Sequence, residues 1–116
     1  MICNILNGDS LAYSFPDAKI AGDIMVVREG FIDGSLSGNN LQDFWQARAK
    51  YMGLTQTEYQ SQVVKEFEKI MNAPDDSEFN LWFEYDLFCQ VNMWFVISII
   101  NSLPIKKKVL LFTLLI

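Results

Sequence analysis

The sequence predicts a three-layer α/β fold, Rossmann-like or flavodoxin-like, with helices on both faces of a mostly parallel four-stranded sheet. Three observations predict it. Short apolar runs alternate along the chain with amphipathic helical patterns. The last run, Val109-Leu-Leu-Phe-Thr-Leu-Leu-Ile116, is apolar without alternation, as a strand covered on both faces would be. Three of the runs also stop in polar or charged residues, and ligands bind at such carboxyl strand ends in open α/β sheets. The expected strand order is 2-1-3-4, with the first and third strands as neighbours.

The elements follow in order. Met1 to Leu6 reads as a short buried strand, and Gly8 permits the sharp turn after it. Asp9 or Ser10 can then cap a short helix with Leu11, Ala12 and Phe15 as its apolar members, which Pro16 and Asp17 end early. Ile24-Met-Val-Val27 is short and β-branched, hence a second strand. It stops at Arg28-Glu29-Gly30, and Asp33 to Asn40 is a loop rich in Gly, Ser and Asn. Leu41, Phe44, Trp45, Arg48 and Tyr51 recur at three and four residues and define a helix that Gly53 ends. Thr55-Gln-Thr-Glu58 has the capping-box form, and Tyr59, Val63, Phe67 and Ile70 give the next helix its buried stripe. Phe79 to Phe83 is the third strand, and Leu87 to Leu103 the fourth helix. The lysines Lys106 to Lys108 read as a solvated loop before the last strand.

Composition narrows the chemistry. A chain of 116 residues is one domain, here 1–116, large enough to hold a core without staples. It contains no histidine, which excludes a Ser-His-Asp triad, a Cys-His dyad and an imidazole zinc site. A net charge of −5 argues against a nucleic-acid partner, which needs clustered Lys and Arg. Cys3 and Cys89 lie inside apolar runs without metal-type spacing and read as buried free thiols of a cytoplasmic protein. No basic segment precedes the first strand as in a secretory signal. A spanning helix needs about 20 predominantly apolar residues. Val91 to Leu103 is interrupted by Asn92, Ser98, Asn101 and Ser102 and ended by Pro104, so it reads as a buried helix rather than a membrane segment.

The polar strand ends are the candidate site. Asn7-Gly8-Asp9-Ser10 can present backbone amides to an anion, although Asp9 would repel one and no dinucleotide or P-loop motif is present. A turn with a helix cap explains the same residues. Arg28 and Glu29 either hold an anionic ligand or pair with neighbouring carboxylates. Arg48 lies on an otherwise apolar stripe, so it should reach a carboxylate of Glu29, Glu84 or Asp86, bidentate where geometry allows. Glu84 and Asp86 form the strongest pair, because residues two apart in an extended chain point to one side. With Asp9 they could ligate a hard divalent ion through oxygen, or one could act as a general base. The blander alternative has Asp86 capping the next helix and Glu84 pairing with Arg28 or Arg48. Gln90, one helical turn beyond Asp86, lines the same cleft or completes the cap. Trp82 and Trp94 read as core.

Taken together, Asn7-Gly-Asp-Ser10, Arg28-Glu29, Gly34, Phe44-Trp45, Arg48 and the run Trp82-Phe-Glu-Tyr-Asp-Leu-Phe-Cys-Gln90 resemble the bacterial family termed domain of unknown function 1835. Many of its members carry histidine where this chain has Tyr85 and a second acid where it has Cys89, so a His-dependent or three-carboxylate mechanism is not expected here. Relatives usually continue beyond the strand ending at Ile116, which implies that this chain is the N-terminal part of a longer protein. The family implies no activity, but it strengthens the expectation that the strand ends act as one site. The expectation is a small anionic, phosphate- or nucleotide-like ligand, with a divalent metal as the cofactor compatible with the acids. The competing expectation is a non-catalytic interaction or dimerisation module, a homodimer included, in which an apolar edge or helix face is covered by another polypeptide.

Overall fold

The computed structural model describes residues 1–36 and 38–114, at 17, 18 and 114 through the backbone. Four parallel strands, β1 (Ile2–Asn7), β2 (Asp23–Val27), β3 (Ser77–Glu84) and β4 (Lys107–Leu114), form one sheet in the order β2-β1-β3-β4. The register pairs Asn7 with Val27, Leu6 with Trp82 and Glu84 with Leu114, so the strand ends named from the sequence share one edge. The final-strand expectation extended to Ile116, and its last two residues lie outside the described ones, as does Ser37 in the loop.

The connections follow from handedness. The step from β1 to β2 runs one way along the sheet, whereas β2 to β3 and β3 to β4 run the other way. Right-handed crossovers then place the first connection on one face and the other two on the opposite face. The first connection is α1 (Asp9–Ser14) with a 3₁₀ turn (Phe15–Ala18), and its Phe15 ring meets Trp82 edge-on at 5.3 Å. The opposite face carries α2 (Leu41–Met52), α3 (Gln56–Tyr59), a π-helical turn (Gln60–Val64), α4 (Lys65–Met71) and α5 (Leu87–Ser102). Alternation along the strands sends Cys3, Ile5, Met25, Val27, Phe79, Leu81 and Phe83 into the core beneath these helices. Phe31 packs at its centre, 4.2 Å from the Phe95 ring and 5.7 Å from Phe44.

Local signals account for the boundaries. Asn40 caps α2 through its side chain, and Gly53 ends it in the left-handed region. Thr55 and Glu58 form both bonds of the capping box. The helix they start is not continuous α, because five residues wind as π before α4 resumes. At the exposed edge of β2 the buried carboxylate of Glu66 accepts the outward amide of Val26 at 2.9 Å.

Several expectations need correction. Neither Asp9 nor Ser10 caps α1: Gly8 occupies that position at φ 93° with no side-chain cap bond, and the helix starts at Asp9. Lys107 and Lys108 belong to β4 rather than to a loop. That strand is not buried on both faces, since Leu111 is 56% exposed and Phe112 37%. Of α5 only Asn92, Val96 and Ile100 are buried, while Leu87, Phe88 and Trp94 face outward. Trp94 is thus not core. With Phe31, Leu36, Phe44, Val91 and Phe95 it lines an apolar groove of about 400 Å³. In each case the apolar surface was legible but its cover was not, because hydrophobicity does not say which neighbour supplies burial.

Candidate functional site

At the strand-order reversal between β1 and β3, the ends of the two central strands diverge into helices on opposite faces. Open α/β sheets bind ligands at such a point. Here β1 delivers Asn7, and the junction of β3 with α5 delivers Glu84, Asp86, Cys89 and Gln90. The Asn7 amide donates to the Cys89 sulfur at 3.0 Å, and the Cys89 thiol donates to Asp86 Oδ2 at 3.2 Å. Donor atoms of Glu84, Asp86 and Cys89 all lie within 4.8 Å of one another.

Each group has a local reason for its position. Asp86 caps α5, its Oδ1 accepting the Cys89 amide at 2.9 Å. Those bonds from Cys89, backbone first and then thiol, hold the Asp86 carboxyl below the usual carboxylate range. Burial is the main cause that pushes the Cys89 thiol up, with the Asp86 carboxylate adding to it, so the sulfur is a neutral thiol at physiological pH. Gln90 donates to the Glu84 carbonyl at 3.1 Å and straps the junction. The Glu84 carboxylate takes no hydrogen bond or ion pair among the described residues.

A second group lies just beyond the ends of β1 and β2. Arg28 Nε donates to Asp9 Oδ1 at 2.7 Å, and its Nη1 reaches the carbonyl of Gln62 inside the π-helical turn. Both side chains are solvent-accessible. Ser10 is exposed at the start of α1. Asp9 is therefore spoken for by Arg28, and Cys89 takes the third place beside Glu84 and Asp86 that Asp9 was expected to fill.

Arg48 and Glu29 do something else. Arg48 donates through Nε and Nη2 to the two Glu29 oxygens at 2.9 and 2.8 Å, the bidentate pairing expected from the sequence. Its remaining donors go to the carbonyls of Gly30, Asp33 and Ser35. All five N–H groups are used, and neither side chain has appreciable exposure. The Glu29 bond is the main cause that raises the Arg48 pKa. Glu29 also accepts the Tyr59 hydroxyl at 2.7 Å, while burial above all keeps that phenol neutral. The Tyr51 and Phe31 rings flank the guanidinium at 5.0 and 5.4 Å. Gly34 lies so close to Tyr51 that an added Cβ would fall 2.6 Å from the ring. This cluster has no donor left for a ligand. It fixes the 30–35 loop.

Asn92 joins the two regions and was missed in the sequence, where it read only as a break in an apolar run. Its amide donates to Asn7 Oδ1 at 3.0 Å and to the Glu29 carbonyl, while its Oδ1 accepts the Phe31 amide at 3.0 Å. Asn7 thereby uses both ends of its side chain, towards Cys89 and towards Asn92. A polar residue on the buried side of an apolar helix was the available signal.

Compared with protein-family models, curated proteins and solved structures, the chain matches none. No helix among the described residues is long and apolar enough to cross a membrane.

Proposed function

We propose that the chain binds a small phosphate- or nucleotide-like ligand at the carboxyl ends of β1 and β3, through a bridging divalent cation. The convergence of Asn7, Glu84, Asp86 and Cys89 at the strand-order reversal carries this reading. Two carboxylates repel a bare anion, so a cation held between them supplies the attraction. Exchanging Asp9 for Cys89 in the donor set moves the preference from magnesium towards zinc or cobalt. Loading such an ion displaces the thiol proton, so binding tightens as pH rises. Arg28, whose Nε and Nη1 are held by Asp9 and the Gln62 carbonyl, would turn its remaining Nη2 to the ligand's phosphate. The ordered motifs support membership of the domain of unknown function 1835 family, and the two unpaired cysteines support a cytoplasmic location.

A melting-temperature panel tests this, with inorganic phosphate and nucleotides, each with and without Mg²⁺, Mn²⁺ and Zn²⁺. At a ligand concentration of about 100 Kd the site should add about 2.7 kcal/mol. Glu84→Gln should abolish most of that gain while leaving the ligand-free melting point nearly unchanged, because its carboxylate makes no bond that the fold needs. A gain equal in both proteins, or none with any pair, removes Glu84 from a ligand site.

A further inference from the structure

The two edges of the sheet are treated differently. At β2 the carboxylate of Glu66 meets the outward amide of Val26. At β4 the alternate amides and carbonyls pointing away from β3 have no partner among the described residues. That edge is apolar on both faces. Leu111 stands 56% exposed on the helix-covered side, and Phe112, stacked on Trp82 at 4.1 Å, stands 37% exposed on the other. We propose that β4 pairs edge-to-edge with β4 of a second copy, antiparallel and centred on Leu111, to give a continuous eight-stranded sheet.

Charge and closure select this occupant and this direction. The basic run Lys106 to Lys108 lies at one end of β4, where the exposed Lys108 ammonium makes a long 3.9 Å pairing with Glu78 of its own chain. The acids Glu84 and Asp86 lie at the other end, where Glu84 is in register with Leu114. A parallel pair would set lysines against lysines. In the antiparallel pair centred on Leu111, Lys108 lies across from residue 114 of the second copy, beside that copy's Glu84. Phe112 then lies across from Leu110 on one face, and Leu111 meets its own counterpart on the other. A two-fold axis makes the contact self-complementary. A two-fold contact uses the β4 edge of each copy once, so association stops at two copies instead of growing into a fibre.

Light scattering across a concentration series should show the mass rise from 13.4 kDa to twice that value and then stay constant. Register is read by oxidative cross-linking. Leu111→Cys should form an intermolecular disulfide in high yield, because directly opposed residues lie about 5 Å apart. Val109→Cys should not, because its counterpart lies four residues along the strand, about 13 Å away. Lys108→Glu should weaken association about tenfold. A monomer at every concentration would overturn the proposal, as it would if the edge instead seats another polypeptide. Open-ended oligomers, or equal cross-linking at 109 and 111, would overturn it too.

Discussion

Arg48→Ala should cost the fold about 3–5 kcal/mol, the usual result of removing one partner from a buried ion pair. Domains of this size are stable by about 5–15 kcal/mol, so the variant should be partly unfolded or close to it. The cause is specific. Without the guanidinium, both Glu29 oxygens keep their burial but lose their bidentate partner, and the carbonyls of Gly30, Asp33 and Ser35 lose their donors. Arg48→Lys should recover only part of the loss, since one ammonium cannot reproduce a planar fork of five donors. Arg48→Met combined with Glu29→Leu should be more stable than Arg48→Ala, because no unpaired charge is then buried. Urea titrations of the wild type and the three variants give the comparison. A loss below about 1 kcal/mol for Arg48→Ala would mean that the pair is wetted in solution and does not hold the loop.

Asn92→Leu should be the second severe change, at about 3 kcal/mol. It strands the amide of Phe31 and the carbonyl of Glu29 in the interior, each worth about 1–3 kcal/mol. It also frees Asn7 Oδ1, so the side chain that positions Cys89 loses its anchor. The variant should therefore be destabilised and, where still folded, should expose Cys89 to faster alkylation. Asn92→Asp keeps the acceptor for Phe31 but loses both donated bonds, and should be equally poor. If Asn92→Leu unfolds at the wild-type urea concentration, water replaces the amide and the site is not anchored through α5.

The parts of this fold legible in the sequence were those written in periodicity or in an isolated contradiction. Strand and helix alternation gave the all-parallel sheet and its order. A single arginine on an apolar stripe announced a buried partner, and Glu29 is that partner. Thr55 and Glu58, with Gly53 before them, marked a helix boundary to the residue. What escaped depended on contacts rather than on pattern. Cys89 read as one more apolar residue, because a thiol's surroundings, here the Asn7 amide and the Asp86 carboxylate, are not encoded nearby in the chain. Asp9 reads as available because its distance from Arg28 in sequence hides their contact at the sheet edge. The π-helical turn at Gln60–Val64 left the spacing of Tyr59, Val63, Phe67 and Ile70 intact, so nothing announced it. Exposure along α5 and β4 was unreadable for a simpler reason: an apolar residue reads alike whether it is covered or open.

The central claim is that the strand ends of β1 and β3 form one cation-dependent site. Cobalt titration of the ¹⁵N-labelled chain tests it most directly, because Co²⁺ accepts a thiolate beside carboxylates and its paramagnetism broadens amides according to their distance from the ion. The amides of Asn7 to Ser10 and Glu84 to Gln90 should broaden together at substoichiometric Co²⁺, and Glu84→Gln should remove the effect. Broadening centred on Asp75, Asp76 and Glu78 at the other end of β3, or none below millimolar ion, would contradict the account.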